Sequence, residues 1–182
     1  MTALNVSIPE ARFTIDGVLS PEECARTIAW ADGLGFDEAP VTTARGFERI
    51  PSVRNNTRVM IDHEDLAARL WRRVQPVVPA HLGPWRAVGL NERLRIYRYG
   101  QGQYFKPHLD GAFARSATER SQFTMMVYLN DDFTGGETAF SGELVAPAPG
   151  RALFFLHRQL HEERTVETGF KYVLRTDVMY RR

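Results

Sequence analysis

The chain has 182 residues, 43% of them apolar and 25% charged, which is the composition of one ordinary globular domain. Its 23 Lys and Arg stand against 22 Asp and Glu, and the resulting formal charge of +1 argues against a dedicated nucleic-acid binder. The single cysteine, Cys24, excludes an internal disulfide framework and any multi-cysteine zinc site. No apolar run nears the roughly 18 residues of a spanning helix and the first residues lack a signal pattern, so the expectation is a soluble, cytoplasmic, single-domain protein with no membrane partner.

Residues 12–34 read as a strand followed by a helix. Phe13 and Ile15 alternate with polar neighbours, Gly17 marks a turn, and Ser20-Pro21-Glu22-Glu23 is a capping box with proline at the first helical position. Cys24, Ile28, Ala31 and Leu34 then recur at helical spacing up to Gly35, which makes Cys24 a small core residue. Residues 36–58 are polar and irregular, and a loop of that length inside a compact domain suits a lid, a binding loop or disorder. A second helix is expected from about Asp62 to Val74, burying Leu66, Leu70 and Val74, with a linker containing Pro76, Pro79, Gly83 and Pro84 after it.

From Gly89 the texture changes. Leu90–Tyr99, Phe123–Leu129, Ala152–Leu156 and Phe170–Tyr180 are rich in β-branched and aromatic residues, separated by Gly-rich turns at Gly100-Gln101-Gly102, Gly135-Gly136 and Pro149-Gly150. No helical pattern connects these strands, so an antiparallel sandwich or barrel is expected, with helical support over about 12–80 and a β-rich core over about 89–180.

Of the five histidines, His63 opens a helix and His81 lies in the linker, so both read as structural. His108 has Asp110 two residues on, and on an extended segment the two side chains share a side. With a third ligand from another strand they would complete a two-histidine, one-carboxylate face; taken alone, the spacing also serves a surface hydrogen bond.

The segment Tyr99-Gly-Gln-Gly-Gln-Tyr-Phe-Lys-Pro-His108-Leu-Asp110 resembles the stretch that opens the iron site of prolyl 4-hydroxylase-like 2-oxoglutarate and Fe(II)-dependent dioxygenases. The spacing of His161, Val166, Gly169 and Lys171 is similar to the later segment of that family, and His157 breaks its register. Thr124-Met-Met-Val-Tyr128-Leu-Asn, Gly135-Gly136-Glu-Thr-Ala-Phe140, Pro149-Gly150-Arg-Ala-Leu-Phe-Phe and Arg54-Asn55-Asn56-Thr57-Arg58 also look like family segments. Several such motifs in order are far more specific than any one of them.

The resemblance implies an α+β fold: a double-stranded β-helix (jelly-roll) core with N-terminal supporting helices. It implies Fe(II) held by His108, Asp110 and His161, with 2-oxoglutarate as cosubstrate, O2 as oxidant and ascorbate as reductant. The far carboxylate of the cosubstrate would meet Lys171 and Tyr128, with Thr124 on the same strand face and Tyr99 lining the pocket. Lys106 and Lys171 are the only lysines in an arginine-rich chain, and a lysine buried without a partner is costly, so an inward Lys171 calls for an anion. His157 is expected in the core. Arg175 shares the face of Lys171 and could pair with Asp177 or meet a substrate carboxylate, and Asn56 and Arg58 are candidate substrate contacts on the lid. The retained Asp110 points to hydroxylation, because halogenases of this class replace that carboxylate with a small residue. The substrate expected is a small molecule, an amino acid or a peptidyl residue. A cupin-like metalloenzyme that does not use 2-oxoglutarate and a non-catalytic jelly-roll binding protein are the alternatives.

Overall fold

A computed structural model describes residues 12–182. The first part of the chain contains β1 (Arg12–Ile15), α1 (Pro21–Leu34), β2 (Asp37–Glu38), β3 (Val41–Thr43), β4 (Gly46–Glu48), β5 (Thr57–Asp62), α2 (Glu64–Val74) and β6 (His81–Leu82). The capping box forms at α1: the Ser20 hydroxyl accepts from the Glu23 N–H, and the Glu23 carboxylate accepts from the Ser20 N–H. Cys24 and Ala31 are buried on the inner stripe, whereas Leu34, expected on the same face, is half exposed at the helix end. The second helix begins at Glu64, two residues later than expected, because Asp62 still pairs with Arg93 in the sheet. His63 caps that helix, its Nδ1 accepting the Leu66 N–H at 3.3 Å.

Two expectations are corrected here. The stretch 36–58 is not a free loop: β3 and β4 form a hairpin, β2 pairs with β5, and Arg54 and Asn56 are buried. Nor is the segment after α2 a linker. Gly83, at φ +56°, turns β6 into β7 (Trp85–Leu90), which pairs with the last strand of the chain.

The remaining elements are β8 (Arg93–Tyr99), β9 (Phe105–His108), β10 (Ala114–Ser116), β11 (Glu119–Tyr128), β12 (Thr134–Gly135), β13 (Thr138–Phe140), β14 (Glu143–Val145), β15 (Ala152–Leu156), β16 (His161–Glu163), β17 (Val166–Thr168) and β18 (Lys171–Arg181). The larger sheet runs β1-β15-β11-β18-β8-β5-β2, and the smaller runs β14-β13-β16-β9. The pairings in both are antiparallel, and the expected jelly-roll is the architecture observed.

Strand alternation divides the core into two layers. Phe123, Met125 and Val127 of β11 pack outward with Leu94, Ile96, Phe154 and Leu174 against Cys24, Ala31, Ala67, Leu70 and Val74 of the helices. Met126 and Tyr128, one residue out of phase, pack inward with Leu153, Phe155, Val173 and Phe140 between the sheets. The helices therefore brace one sheet from outside, and the inner face is free to carry the polar residues described next.

Candidate functional site

His108 ends β9 and His161 begins β16, and the two are direct cross-strand partners in the smaller sheet. Their rings lie 4.2 Å apart between centroids. Asp110, two residues past His108, brings its oxygens to 3.8 Å from His108 Nε2 and 3.9 Å from His161 Nε2. One donor atom from each residue falls within 4.8 Å of the others, a set able to hold a metal ion.

The hydrogen bonds around the cluster decide which atoms are available. His108 Nδ1 lies 2.8 Å from the Lys106 carbonyl and His161 Nδ1 lies 3.0 Å from the Gln159 carbonyl. A carbonyl only accepts, so both Nδ1 atoms carry the proton and both Nε2 lone pairs face the cluster. Burial, followed by the neighbouring His161, pushes the His108 imidazole down to about 3, so it is neutral around pH 7. Burial alone would raise the Asp110 carboxyl, but Arg175, His161 and His108 outweigh it and hold Asp110 well below the ordinary carboxylate range.

His157 lies in the core, as expected, and aligns the carboxylate from behind. The Thr124 hydroxyl donates to Asp110 Oδ2 at 2.6 Å, so it can only accept from His157 Nδ1–H at 3.1 Å. His157 Nε2 in turn accepts the Ser121 hydroxyl at 2.8 Å. The relay Ser121–His157–Thr124–Asp110 runs in one direction and fixes the His157 tautomer. Thr124, expected to bind the cofactor, has its hydroxyl on Asp110 in this structure.

Lys171 is fully buried, and its Nζ donates to the Gly136 carbonyl at 2.5 Å. Gly136, at φ +67°, lets its backbone approach, since a Cβ there would press on Lys171 Cδ and Val166. The ammonium also sits 5.4 Å and 5.5 Å from the ring centroids of Tyr99 and Tyr128. The anion that its burial demands comes from the chain itself, because Lys171 forms an ion pair with Glu163. Glu163 is buried, and its carboxylate accepts the Thr138 hydroxyl, which accepts the Tyr128 hydroxyl at 2.7 Å. Sequence reasoning missed Glu163, although its position two residues beyond His161 on the same strand was a signal. A cleft of about 570 Å³ opens onto Glu163 beside Tyr104, Lys106 and Gly135.

Arg175 makes the expected pair with Asp177, and the structure adds a second carboxylate, Asp110. It meets Asp177 at 3.2 Å and Asp110 at 3.1 Å, which puts it against the cluster as well as its strand neighbour. Asn56 accepts from Arg54 Nε at 2.6 Å and donates to the Thr57 carbonyl, so it positions Arg54 from inside the protein and is not on a lid. Arg58 belongs to β5, directly opposite Tyr97.

The 2OG-Fe(II) oxygenase superfamily profile matches residues 94–176. A PKHD-type hydroxylase of Acaryochloris marina is 30% identical over 172 residues, covering 88% of this chain and 74% of its own. The chain belongs to the 2-oxoglutarate and Fe(II)-dependent oxygenase superfamily. Within this superfamily it is prolyl 4-hydroxylase-like. Prolyl 4-hydroxylase 1 of Arabidopsis thaliana is 29% identical over 67% of this chain, and the chain spans 44% of that enzyme. The viral collagen prolyl hydroxylase of Paramecium bursaria Chlorella virus-1, solved with 2-oxoglutarate, matches at a TM-score of 0.66 and 25% identity, covering 94% of this chain and 96% of that one. A prolyl hydroxylase of Trichoplax adhaerens, solved with a hypoxia inducible factor peptide, shares the fold at a TM-score of 0.66 and 17% identity, covering 92% and 82%. The chain is an oxidoreductase that uses Fe(II) and 2-oxoglutarate to hydroxylate its substrate. Among the described residues no helix is long and apolar enough to cross a membrane.

Proposed function

We propose that His108, Asp110 and His161 hold the Fe(II), that Lys171 and Tyr128 take the far carboxylate of 2-oxoglutarate, and that the substrate is a small molecule, an amino acid or a peptidyl residue. The convergence of three donor atoms, each histidine with its other nitrogen committed to a carbonyl, carries the reading. The donor set fits: two imidazole nitrogens and one carboxylate on one face are the ligands of a facial Fe(II) site that leaves room for other ligands. The bound ion and cosubstrate supply the chemistry, in which 2-oxoglutarate and O2 give succinate and CO2 while a substrate C–H becomes C–OH.

The residues of the chain bind, orient and exclude. Thr124 and Arg175 fix the Asp110 carboxylate, the first by its hydroxyl and the second by charge. Phe155 and Phe140, with ring centroids 4.4 Å and 5.6 Å from that of His161, wall the cluster on the apolar side and keep water from it. Lys171, already ion-paired with Glu163, would supply the charge for the far carboxylate of the cosubstrate, and Tyr128, whose hydroxyl now donates to Thr138, would supply a hydrogen-bond donor beside it.

Succinate formation at varied 2-oxoglutarate tests the assignment. Lys171→Ala is expected to raise the 2-oxoglutarate concentration at half-maximal rate at least about tenfold, a loss of about 1.4 kcal/mol, with Mn(II) affinity unchanged. An unchanged 2-oxoglutarate dependence would remove Lys171 from the site.

A further inference from the structure

The inner face of the larger sheet carries more positive charge than the metal cluster uses. Arg95 of β8 and Arg175 of β18 are direct cross-strand partners, an arrangement of like charges that destabilises a sheet unless an anion lies between them. The chain supplies one shared carboxylate: Asp177 lies 3.5 Å from Arg95 and 3.2 Å from Arg175. Arg54 adds a third guanidinium from the neighbouring segment, its plane resting 4.5 Å over the Tyr97 ring and 4.3 Å over the Phe105 ring. Arg58 adds a fourth, opposite Tyr97 on β5. Among the described residues, Asp177 and Asp110 are the carboxylates ion-paired with these four arginines, and Asp62 acts on Arg95 from farther off, so positive charge stays in excess there.

Two of the guanidinium groups are also short of partners. Arg54 is 7% exposed, and its Nη2 has no hydrogen-bond acceptor; Arg175 Nε has none either. Buried donors left open cost stability, so a fold that keeps them points to an acceptor arriving from outside. Tyr97 reports the same field. Burial would raise its phenol, yet Arg54, Arg175 and Arg95 together draw it down to about 8.

The ammonium proposed for the far carboxylate of the cosubstrate is separate from Arg175. Lys171 lies four residues before Arg175 on the same strand, roughly 13 Å away at extended rise. Arg175 touches Asp110, and Arg54 lies over Phe105, whose ring stacks on His108. Arg175 and Arg54 therefore both border the metal cluster, and Arg54 also reaches Tyr99, whose ring lies beside the Lys171 ammonium.

We infer that the hydroxylated substrate carries a free carboxylate, received by Arg54, Arg58, Arg95 and Arg175 around Tyr97. This rests on the metal and cosubstrate assignments above and adds the substrate class. The planar fork of arginine matches a carboxylate bidentately, and burial beside aromatic rings strengthens each such bond.

The test is anaerobic calorimetry on the protein loaded with Mn(II) and saturating 2-oxoglutarate, titrated with L-glutamate, L-proline, inorganic phosphate and a proline peptide blocked at both ends. At least one of the two free amino acids is expected to bind saturably and the blocked peptide not at all. Arg95→Gln and Arg58→Gln are each expected to weaken that binding at least tenfold while Mn(II) and 2-oxoglutarate still bind. Binding of the blocked peptide alone, of phosphate alone, of none of the four, or equal binding of the amino acid to both variants, would each overturn the inference. Failure of Mn(II) or 2-oxoglutarate to load would instead strike the underlying assignment, so the two failures are separable.

Discussion

At Asp110 one carboxylate answers to four neighbours, and its role depends on all of them. The spacing of His108 and Asp110 was legible in the sequence because an extended segment fixes which residues share a side, whereas His161 followed only from the resemblance to the family. The support behind them was not. Nothing in sequence order shows that Thr124, on β11, donates to Asp110, since that contact depends on how the loop after β9 falls across the sheet. Partners of this kind are commonly worth 10–100-fold in metal affinity. Thr124→Val, which keeps the shape and removes the hydroxyl, is therefore expected to weaken Mn(II) binding by about tenfold in calorimetry, and unchanged affinity would remove the orienting role. Glu163 escaped sequence reasoning because its partner, Lys171, lies on another strand. Since it pairs with the ammonium proposed to bind the cosubstrate, Glu163→Gln is expected to lower the 2-oxoglutarate concentration at half-maximal binding about three- to tenfold, as a neutral amide competes less for Lys171. Weaker 2-oxoglutarate binding in that variant would show that Glu163 helps to build the site and does not compete for it.

At the scale of the element, local signals predicted well where local chemistry decides. The Ser20 capping box and the β15 boundaries follow from side chains within a few residues. The segments 36–58 and 76–84 were misread because their strands are short and polar, and gain their pairing from distant partners: β5 from β8, and β7 from β18. The contact between α1 and α2 is a measurable case. Arg73 pairs with Glu23 at 2.7 Å and holds its carboxyl down to about 2, with the Ser20 N–H contributing. A carboxyl lowered in the folded state stabilises above its ordinary value of 4.5, and that stability is lost as pH falls through 2. With Arg73 partly exposed, Arg73→Gln is expected to cost about 1 kcal/mol in urea unfolding at pH 7 and close to nothing at pH 2. A pH-independent difference would attribute the loss to the bond from Arg73 to the Val18 carbonyl instead. Gly150 is a second case, at φ +77° with a Cβ position only 2.0 Å from the Leu19 carbonyl oxygen. Gly150→Ala is expected to destabilise by at least about 2 kcal/mol, from left-handed strain together with displacement of the β1–α1 connection.

Across the whole molecule, the two sheets and two helices divide the work. The outer layer of the larger sheet spends its apolar residues on the helices, and this leaves the inner layer able to hold Lys171, Glu163, Asp177 and Arg175 against one another. The expected jelly-roll came from the order of several motifs, while the charge-rich inner face emerged only when strand register placed Arg95 opposite Arg175 and Arg58 opposite Tyr97. A fold that keeps so many charges inward is completed by its ligands. Saturation with Mn(II) and 2-oxoglutarate at about 100 times their dissociation constants is expected to add roughly 2.7 kcal/mol per independent site, a rise of several degrees in Tm for a chain of this size.

His108, Asp110 and His161 place one donor atom each within 4.8 Å of the others, which is the arrangement proposed to hold one metal ion. Anaerobic titration of the purified chain with Mn(II), followed by the loss of the free-ion paramagnetic resonance signal, measures that directly. The expected result is one ion per chain, lost in His161→Ala and retained in His157→Ala. Full binding in His161→Ala, or loss of the site in His157→Ala alone, would contradict it.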